Sequence, residues 1–490
     1  MKRKVTIHDV NDVYKKSMYM EHTLYTDIPA VLYVTRRQTE IPIWITLLGS
    51  SSSGKTTMVK PFLQTTENDI FQISQITSAS FASGVGRKPK KKKGDKETDE
   101  PQKTTFDKND VGYQMQNKHS LVIVNDMSSI FSMDKREMMK LQGLFRELYD
   151  GFIKVVSASV DKMYSNIHCN MLMMATPQIY DALENGLMMG SRELAIRVPK
   201  IKHMDKLGTH LKWDVYNKNV FGDTTDYEKE RMMIIRDFIN EYKTCDLVNV
   251  PESMADEIWL HAMKISTNRA TVKKDYQNDV MSVVDVESPA RLYKQLLTLA
   301  SGFLTIGYNE KETQERLSLI VNSSGNMIRQ PILNVLKESR SFKLIIDKKE
   351  REKKQKEASK KMLDSLIKSG TDKQKAIETI NFMKKNAYTG TKKEDIEDGL
   401  TTKQIASILG VSIKGVRAEL LVLYQLKQIK SLDDLTDIFD EEAVWVINSE
   451  YEKVFSDYDK KYNTPLSLKD LERAYMSSID EERKQIMRGF

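Results

Sequence analysis

The apolar positions of this chain change their spacing several times, and each change marks an element. Between residues 11 and 37 they recur at helical intervals, ending in TDIPAVLYVTRR. This predicts a short helical cap over residues 1–40, too small for a domain of its own. Residues 43–48 (IWITLL) are instead continuously apolar, as in a strand buried on both faces. The run breaks at Gly49, and a helix is predicted over 56–64. SLVIVN at 120–125 and NMLMMA at 170–175 repeat the buried-strand pattern. Between them lie a helical stretch at 134–149 and the hairpin-like alternation of FIKVVSASVDKMYSNI. FQISQITSASFASGVG also alternates and predicts a strand after the first core helix. Residues 227–310 read as strongly helical; within them Pro289 stands near a helix start with Arg291 in the first turn. The expected class is α/β: a core over 41–225, then a helical lid over 226–340.

Past Arg340 the composition shifts. Residues 347–361 (DKKEREKKQKEASKK) are almost all charged and read as a solvated helix or linker. Residues 362–386 read as helical. LTTKQIASILGVSIKGVRAEL, residues 400–420, reads as helix, Gly-bearing turn, helix. Ile405, Ala406 and Leu409 are expected to pack against Val416, Leu420 and Leu423, with Gly410 in the turn. AVWVIN (443–448) supplies a candidate wing strand, so the α-rich region 362–490 is expected to contain a winged helix. Lys414 and Arg417 would face outward on its second helix. Such a unit either binds DNA or docks a protein.

Composition narrows the class. At 490 residues the chain suits two to four domains, and 40% apolar residues allow a real core. No apolar run reaches the ~18–20 residues of a membrane span. MKRKVTIHDV lacks the apolar segment of a secretory signal. Cys169 and Cys245 lie far apart and outside any CxxC, so neither a disulfide framework nor a cysteine zinc site is expected. A cytoplasmic, reducing compartment follows from these readings. The net charge of +7 favours acidic partners only mildly. Locally the bias is stronger: six of the seven residues 87–93 are basic, within an insertion at 86–105. This stretch reads either as a solvated surface loop or as an arm contacting nucleic-acid phosphates.

The chemistry is concentrated at the break after residues 43–48. Gly49-x4-Gly54-Lys55-Thr56 has the spacing of a phosphate-binding loop between a strand and a helix. Gly49 and Gly54 let backbone N–H groups converge on phosphate oxygens, and Ser50, Ser51, Ser52 and Ser53 are small enough not to block them. Lys55 would reach the β- and γ-phosphates, and the Thr56 hydroxyl, followed by Thr57, would meet Mg²⁺ at a helix N-terminus. ATP and Mg²⁺ are the expected cofactors. Asp126, after the second buried strand, stands where a Walker B carboxylate belongs, with Asn125 in place of the usual first acid. An ordinary Asn-Asp turn is the alternative. Thr176 ends the third strand and can orient an attacking water or simply terminate the strand. In GSRELAIRVP, Arg192 and Arg197 lie around a strand start, where an arginine can reach a neighbouring subunit's γ-phosphate or form a surface ion pair.

In order, then, the chain carries the loop, a TSASFASG strand, VIVND, a hairpin, a strand ending in ATP, a GSR arginine and a helix starting PAR. Over roughly residues 20–310 this order resembles the AAA+ core of the minichromosome maintenance (MCM) type replicative helicases and of MCM-like ATPases of mobile elements. The resemblance implies that Thr176 is sensor 1, where the family usually has Asn. It likewise makes Arg192 a finger acting in trans and Arg291 the sensor 2 arginine of the lid. It also implies a ring of identical subunits acting on DNA with replication proteins. A hairpin lysine would point into the DNA channel, Lys154 first and Lys162 in reserve. Two departures from the family, Asn125 and the lack of a zinc-bearing oligonucleotide-binding domain ahead of the core, bear on processive unwinding more than on ATP binding. The expected activity is ATP hydrolysis driving a DNA motor, helicase or translocase. The rivals are an ATP-switched DNA-binding initiation or helicase-loading factor and a protein-remodelling ATPase.

Overall fold

In a computed structural model, residues 4–17, 20, 22–38, 40–50, 54–65, 67, 69–73, 111–127, 133–157, 160–176, 192–198, 225–270, 272–274, 280–283, 286–325, 328–337, 361, 399–431 and 443–449 are described. The chain divides into two compact units, Met1–Arg269 with Val286–Asn326, and Ala270–Asp285 with Met327–Phe490.

In the first unit, helices α1 (Ile7–Ser17) and α2 (Leu24–Thr35) precede strand β1 (Trp44–Leu48) and helix α3 (Lys55–Leu63). Strand β2 (Ile70–Ile73), the short helix α4 (Val111–Met115) and strand β3 (Lys118–Val124) follow. Then come helix α5 (Lys135–Tyr149), strands β4 (Ile153–Ser157) and β5 (Val160–Tyr164), and strands β6 (Ile167–Ala175) and β7 (Glu193–Arg197). Helices α6 (Thr225–Tyr242), α7 (Glu252–Asn268), α8 (Pro289–Thr305) and α9 (Glu310–Ser323) complete the unit. The five core strands form one sheet in the order β2-β3-β6-β1-β7, and every pairing is parallel. β1 is buried along its whole length, as its unbroken apolar run requires of a parallel strand covered on both faces. Its Trp44 donates its indole N–H to the Cys169 carbonyl at 3.0 Å and meets Phe145 and Tyr149 edge-on. β4 and β5 pair antiparallel as the expected hairpin.

Three features depart from the sequence reading. β6 starts at Ile167, three residues before the apolar run. α2 is no superficial cap: all twelve of its residues are buried, and it packs against β6, β3, α3 and α8. The region expected to be helical through 310 is interrupted by two short paired strands, β8 (Val272–Lys274) and β9 (Val280–Val283), which belong to the second unit.

What anchors α2 is a buried carboxylate. Asp27 is fully inaccessible and accepts from Asn11 (3.1 Å), Tyr308 (2.5 Å), Thr23 (2.6 Å) and Arg316 (3.0 Å). The Arg316 guanidinium also stacks 3.5 Å over the Tyr308 ring. A charge so deep is tolerable because both oxygens are paired twice. It ties α1, α2 and α9 to the turn that leaves α8.

The second unit contains helix α10 (Arg329–Lys337), a two-residue strand β10 (Leu400–Thr401), helices α11 (Thr402–Leu409) and α12 (Ile413–Gln425), and strands β11 (Ile429–Ser431) and β12 (Val444–Ile447). Thr401 and Gln404 form a capping box at the start of α11, and Gly410 closes it in the left-handed region at φ 65°. Ile405, Ala406, Val416, Leu420 and Leu423 share one buried cluster, with Leu409 against its edge, as the sequence pattern predicts. The strands form an antiparallel sheet in the order β10-β12-β11. An Arg329–Glu419 pair at 2.8 Å is buried beneath. Among the described residues no helix is long and apolar enough to cross a membrane. The basic run 87–93, nearly all of the charged linker and the helical stretch at 362–386 lie outside the described residues.

Asp27→Ala should lower the unfolding free energy by about 3 kcal/mol, because the part-buried Arg316 loses its counter-charge and Asn11, Thr23 and Tyr308 lose their acceptor. Urea denaturation of the full chain measures it.

A pH effect is also expected at the other end of the core. His119 on β3 stacks on His168 of β6, ring centroids 5.2 Å apart, with its Nδ1 buried and unpartnered. Burial, then His168, Arg37 and Arg36, hold its pKa below the ordinary value, while a backbone hydrogen bond to Arg36 opposes them. The unfolded chain therefore binds this proton first, at about pH 6.5. Stability that is complete above that pH declines as pH falls toward the folded-state pKa. The urea midpoint should drop between pH 7.5 and 5.5 more steeply for the wild type than for His119→Gln.

Candidate functional site

Because all five strands run the same way, their C-terminal ends share one edge of the sheet. Gly49 N–H donates to the Ala175 carbonyl at 3.1 Å, Val198 N–H to Leu48 at 2.8 Å and Met127 N–H to Met174 at 3.0 Å. These bonds hold the exits of β1, β7, β3 and β6 level. The segment from Gly49 onward, Asn125 with Asp126, Thr176 and Arg197 are thereby gathered on that edge, where open α/β sheets place ligands.

Gly54 sits at φ 81°, a left-handed conformation a glycine takes at little cost, and it caps the start of α3. Lys55 is the first residue of that helix. Its ammonium donates to the carbonyls of Gly49 and Ser50, both at 2.7 Å. Partial burial pushes the Lys55 pKa down, and the charge of the Asp126 carboxylate opposes that shift. Thr56 and Thr57 are exposed beside them, while Ser51, Ser52 and Ser53 lie outside the described residues. Thr176 is half-buried at the tip of β6, the strand lying between β1 and β3. The Asn125 Oδ1 atom is buried and has no hydrogen-bond partner. A buried acceptor left unpaired costs stability unless something meets it, which makes it a candidate cation or water contact. A left-handed glycine at a helix start, a lysine, one carboxylate and an unpaired amide oxygen fit a nucleoside triphosphate with Mg²⁺.

The two arginines of the GSRELAIRVP segment do not share a strand start. Arg197 ends β7 level with Leu48, on the loop's edge, whereas Arg192 precedes β7 at the opposite edge. They are five positions apart along an extended strand, about 16 Å. Strand register, invisible in the sequence, sets this division. Arg291 belongs with Arg192 and not with Lys55. Ser288 caps α8 and Pro289 opens it. One turn on, the Gln295 amide donates to the Tyr149 hydroxyl at 2.9 Å and to the Arg192 carbonyl at 3.5 Å. Burial pushes the Tyr149 hydroxyl up to about 12 against the opposing charges of Arg291 and Arg192, so it is a neutral partner. Glu287, its pKa raised by burial and lowered by Arg269 and Arg291, supplies counter-charge nearby. Arg269 stands behind, donating to the Ser324 carbonyl at 2.6 Å and the Glu193 carbonyl at 2.5 Å.

Among the candidate DNA contacts, Lys154 lies exposed on β4, its backbone N–H bound to Glu147 at 3.0 Å. Lys162 is on β5 opposite Val155, and its side chain is outside the described set. Lys414 is exposed on α12 and Arg417 half-buried one turn later. Sequence reasoning missed Tyr149, Asp150 and Gln295. Asp150 before Gly151 reads simply as a turn, and the other two read as core positions. Set against protein-family models and against curated proteins, the chain matches none.

Asn125 and Asp126 are separable by experiment. If Asp126 is the working acid at this strand end, Asp126→Asn should retain nucleotide, measured by a fluorescent ATP analogue, while turnover falls by at least about 100-fold. Asn125→Ala should weaken Mg²⁺-dependent binding. An effect no larger than that of a surface substitution would return its amide to a turn role.

Proposed function

We propose that this chain is a P-loop ATPase of the AAA+ class, hydrolysing ATP between neighbouring copies. More particularly, we assign it as an MCM-like DNA motor, a helicase or translocase of DNA replication. The observation that carries this reading is the placement of two groups of candidate side chains at opposite ends of one parallel sheet. Lys55, Asp126, Asn125 and Thr176 collect at one edge, while Arg192 and Arg291 collect at the other. Phosphoryl transfer needs positioning and charge stabilisation rather than covalent chemistry by the protein. Bound ATP and Mg²⁺ supply the transferable phosphoryl group and the charge-bridging cation. The Lys55 ammonium would leave the Gly49 and Ser50 carbonyls to meet the phosphates. Asp126 would hold the cation or accept the water's proton, and Thr176 would orient that water. Arg192 and Arg291 would complete a neighbour's site, since their own loop is a strand length away.

On this reading the second unit is a winged helix. Lys414 and Arg417 on α12, Lys154 on the hairpin and the basic run 87–93 would meet DNA phosphates. One observation favours the rival in which this unit docks a protein: residues 432–442, between β11 and β12, contain six acidic residues and no basic one. Phosphate contact in this unit is therefore assigned to α12 and not to the segment joining the strands.

The test is ATP turnover across a mixing series of Lys55→Ala and Arg192→Ala, with and without DNA. Each variant alone should be nearly inactive, the arginine variant by roughly 10³–10⁵. Mixtures should regain activity, because some interfaces pair an intact loop with an intact arginine. A monomer with normal turnover would overturn the reading. Turnover indifferent to DNA would favour protein remodelling, and DNA stimulation without strand displacement the ATP-switched factor.

A further inference from the structure

Arg192 does not stand alone at its edge. Its Nη2 donates to both carboxylate oxygens of Asp150, at 3.2 and 3.5 Å, and its guanidinium carbon lies 5.6 Å from the Tyr149 ring centroid. Its Nε is buried with no hydrogen-bond partner. A guanidinium has five N–H donors in a rigid plane, so a single nitrogen bound to Asp150 leaves donors to give elsewhere. The two anchors are themselves fixed. Asp150 caps the C-terminus of α5, its N–H bound to the carbonyls of Arg146 and Leu148. Tyr149 is buried and tied by Gln295 to α8, the helix that carries Arg291.

We infer that Asp150 and Tyr149 are positioning residues for Arg192, presenting its remaining donors to an anion bound by a second copy of this chain. The inference rests on the reading that Arg192 acts in trans, and it adds the residues that aim the side chain. An alternative is that the Asp150–Arg192 pair merely stabilises the fold. Exposure decides against that: the Arg192 side chain is 23% exposed and that of Asp150 46%. Pairs this accessible contribute little to stability. Placement is a different matter, since a displacement of about 1 Å at a reacting centre can cost on the order of 100-fold in rate. The Tyr149 ring lies within cation–π range of the guanidinium and favours its staying on that side. Asp150 holds one of its nitrogens in place.

The experiment uses the full chain with Asp150→Asn, Asp150→Glu, Arg192→Ala and the double variant Asp150→Asn with Arg192→Ala. Melting temperature, kcat and KM for ATP are measured for each. Asp150→Asn should lose about tenfold in kcat, with KM and melting temperature unchanged, and Asp150→Glu should recover part of that loss. The double variant should be no slower than Arg192→Ala. Mixing Asp150→Asn with Lys55→Ala should raise turnover, which places the defect on the arginine side of the interface. Should Asp150→Asn run at the wild-type rate while Arg192→Ala is inactive, the positioning role falls and the trans reading stands. If Arg192→Ala also runs at full rate, both fall. A double variant clearly slower than Arg192→Ala would show Asp150 acting apart from the arginine and would overturn the inference.

Discussion

The parallel pairing of β1 with β6 on one side and β7 on the other is the constraint from which the site follows. Trp44 to Leu48 register with Met171 to Ala175 and with Glu193 to Arg197, residue for residue. Parallel strands have all their carboxyl ends on one edge, so that edge and its opposite cannot carry the same chemistry. At one of them the chain leaves β1 through Gly49 and doubles back as α3. At the other it arrives through Arg192, beneath the first turns of α8. A slip of one residue between β1 and β7 would move every β7 side chain to the other face and detach Arg269 from the Glu193 carbonyl. The register is held by more than backbone bonds. The Thr46 hydroxyl donates to the buried Glu193 carboxylate, and the Ala195 N–H donates to the Ser324 hydroxyl at 2.9 Å.

Placement of the arginine edge depends on a second set of contacts at the far end of α8. There the turn through Gly307 brings Tyr308 onto Asp27, and α9 opens with an Asn309–Glu312 capping box. α8 is thus held in its first half by Gln295 against Tyr149 and just past its end by Tyr308 on the buried carboxylate of α2. A rigid helix fixed at both ends cannot carry Arg291 toward Lys55 without breaking one of them. A buried pair such as Asp27–Arg316 is weak evidence for stability by itself, since well-packed apolar side chains often do as well. Its four partners come from separate segments, however, and no apolar substitute would fix their directions. Specificity of arrangement is the better account of why the charge is there.

The parts legible in the sequence were those whose chemistry is local. Gly49 to Thr56 carries its own geometry within eight residues, and Asn125–Asp126 follows directly from the end of an apolar run. The helix–turn–helix of the second unit was equally plain, because Gly410 and two capping residues mark its corners. What escaped was everything decided by register or by neighbours distant in sequence. Arg192 and Arg197 are five residues apart, and only the parallel pairing sends them to opposite edges. Helical spacing does not say how many sides of α2 are covered; its uniform burial comes from α3, α8 and the sheet together. β8 and β9 are three and four residues long, too short for periodicity to distinguish from helix.

The replacement of the expected first acid by Asn125 has a consequence for the proposed activity. Among the described residues one carboxylate, Asp126, follows this strand, and an edge with one is a full charge less negative than an edge with two, so a triphosphate would meet less repulsion there. The amide oxygen can still serve a hard cation as a neutral ligand, and its lack of a protein partner leaves it available. An amide cannot take a proton from water. On the proposed reading Asp126 would have two tasks, holding Mg²⁺ and activating the nucleophile, and performing either one would leave the other weakly supplied. Such an edge would favour retaining nucleotide over turning it over rapidly. Thr176 pulls the other way, for its hydroxyl can orient water without any charge of its own. The motor and the ATP-switched factor thus differ at this strand end by what two neutral side chains contribute. A motor requires Asn125 and Thr176 to share the work of the missing acid, while a switch needs only that they leave the bound triphosphate undisturbed.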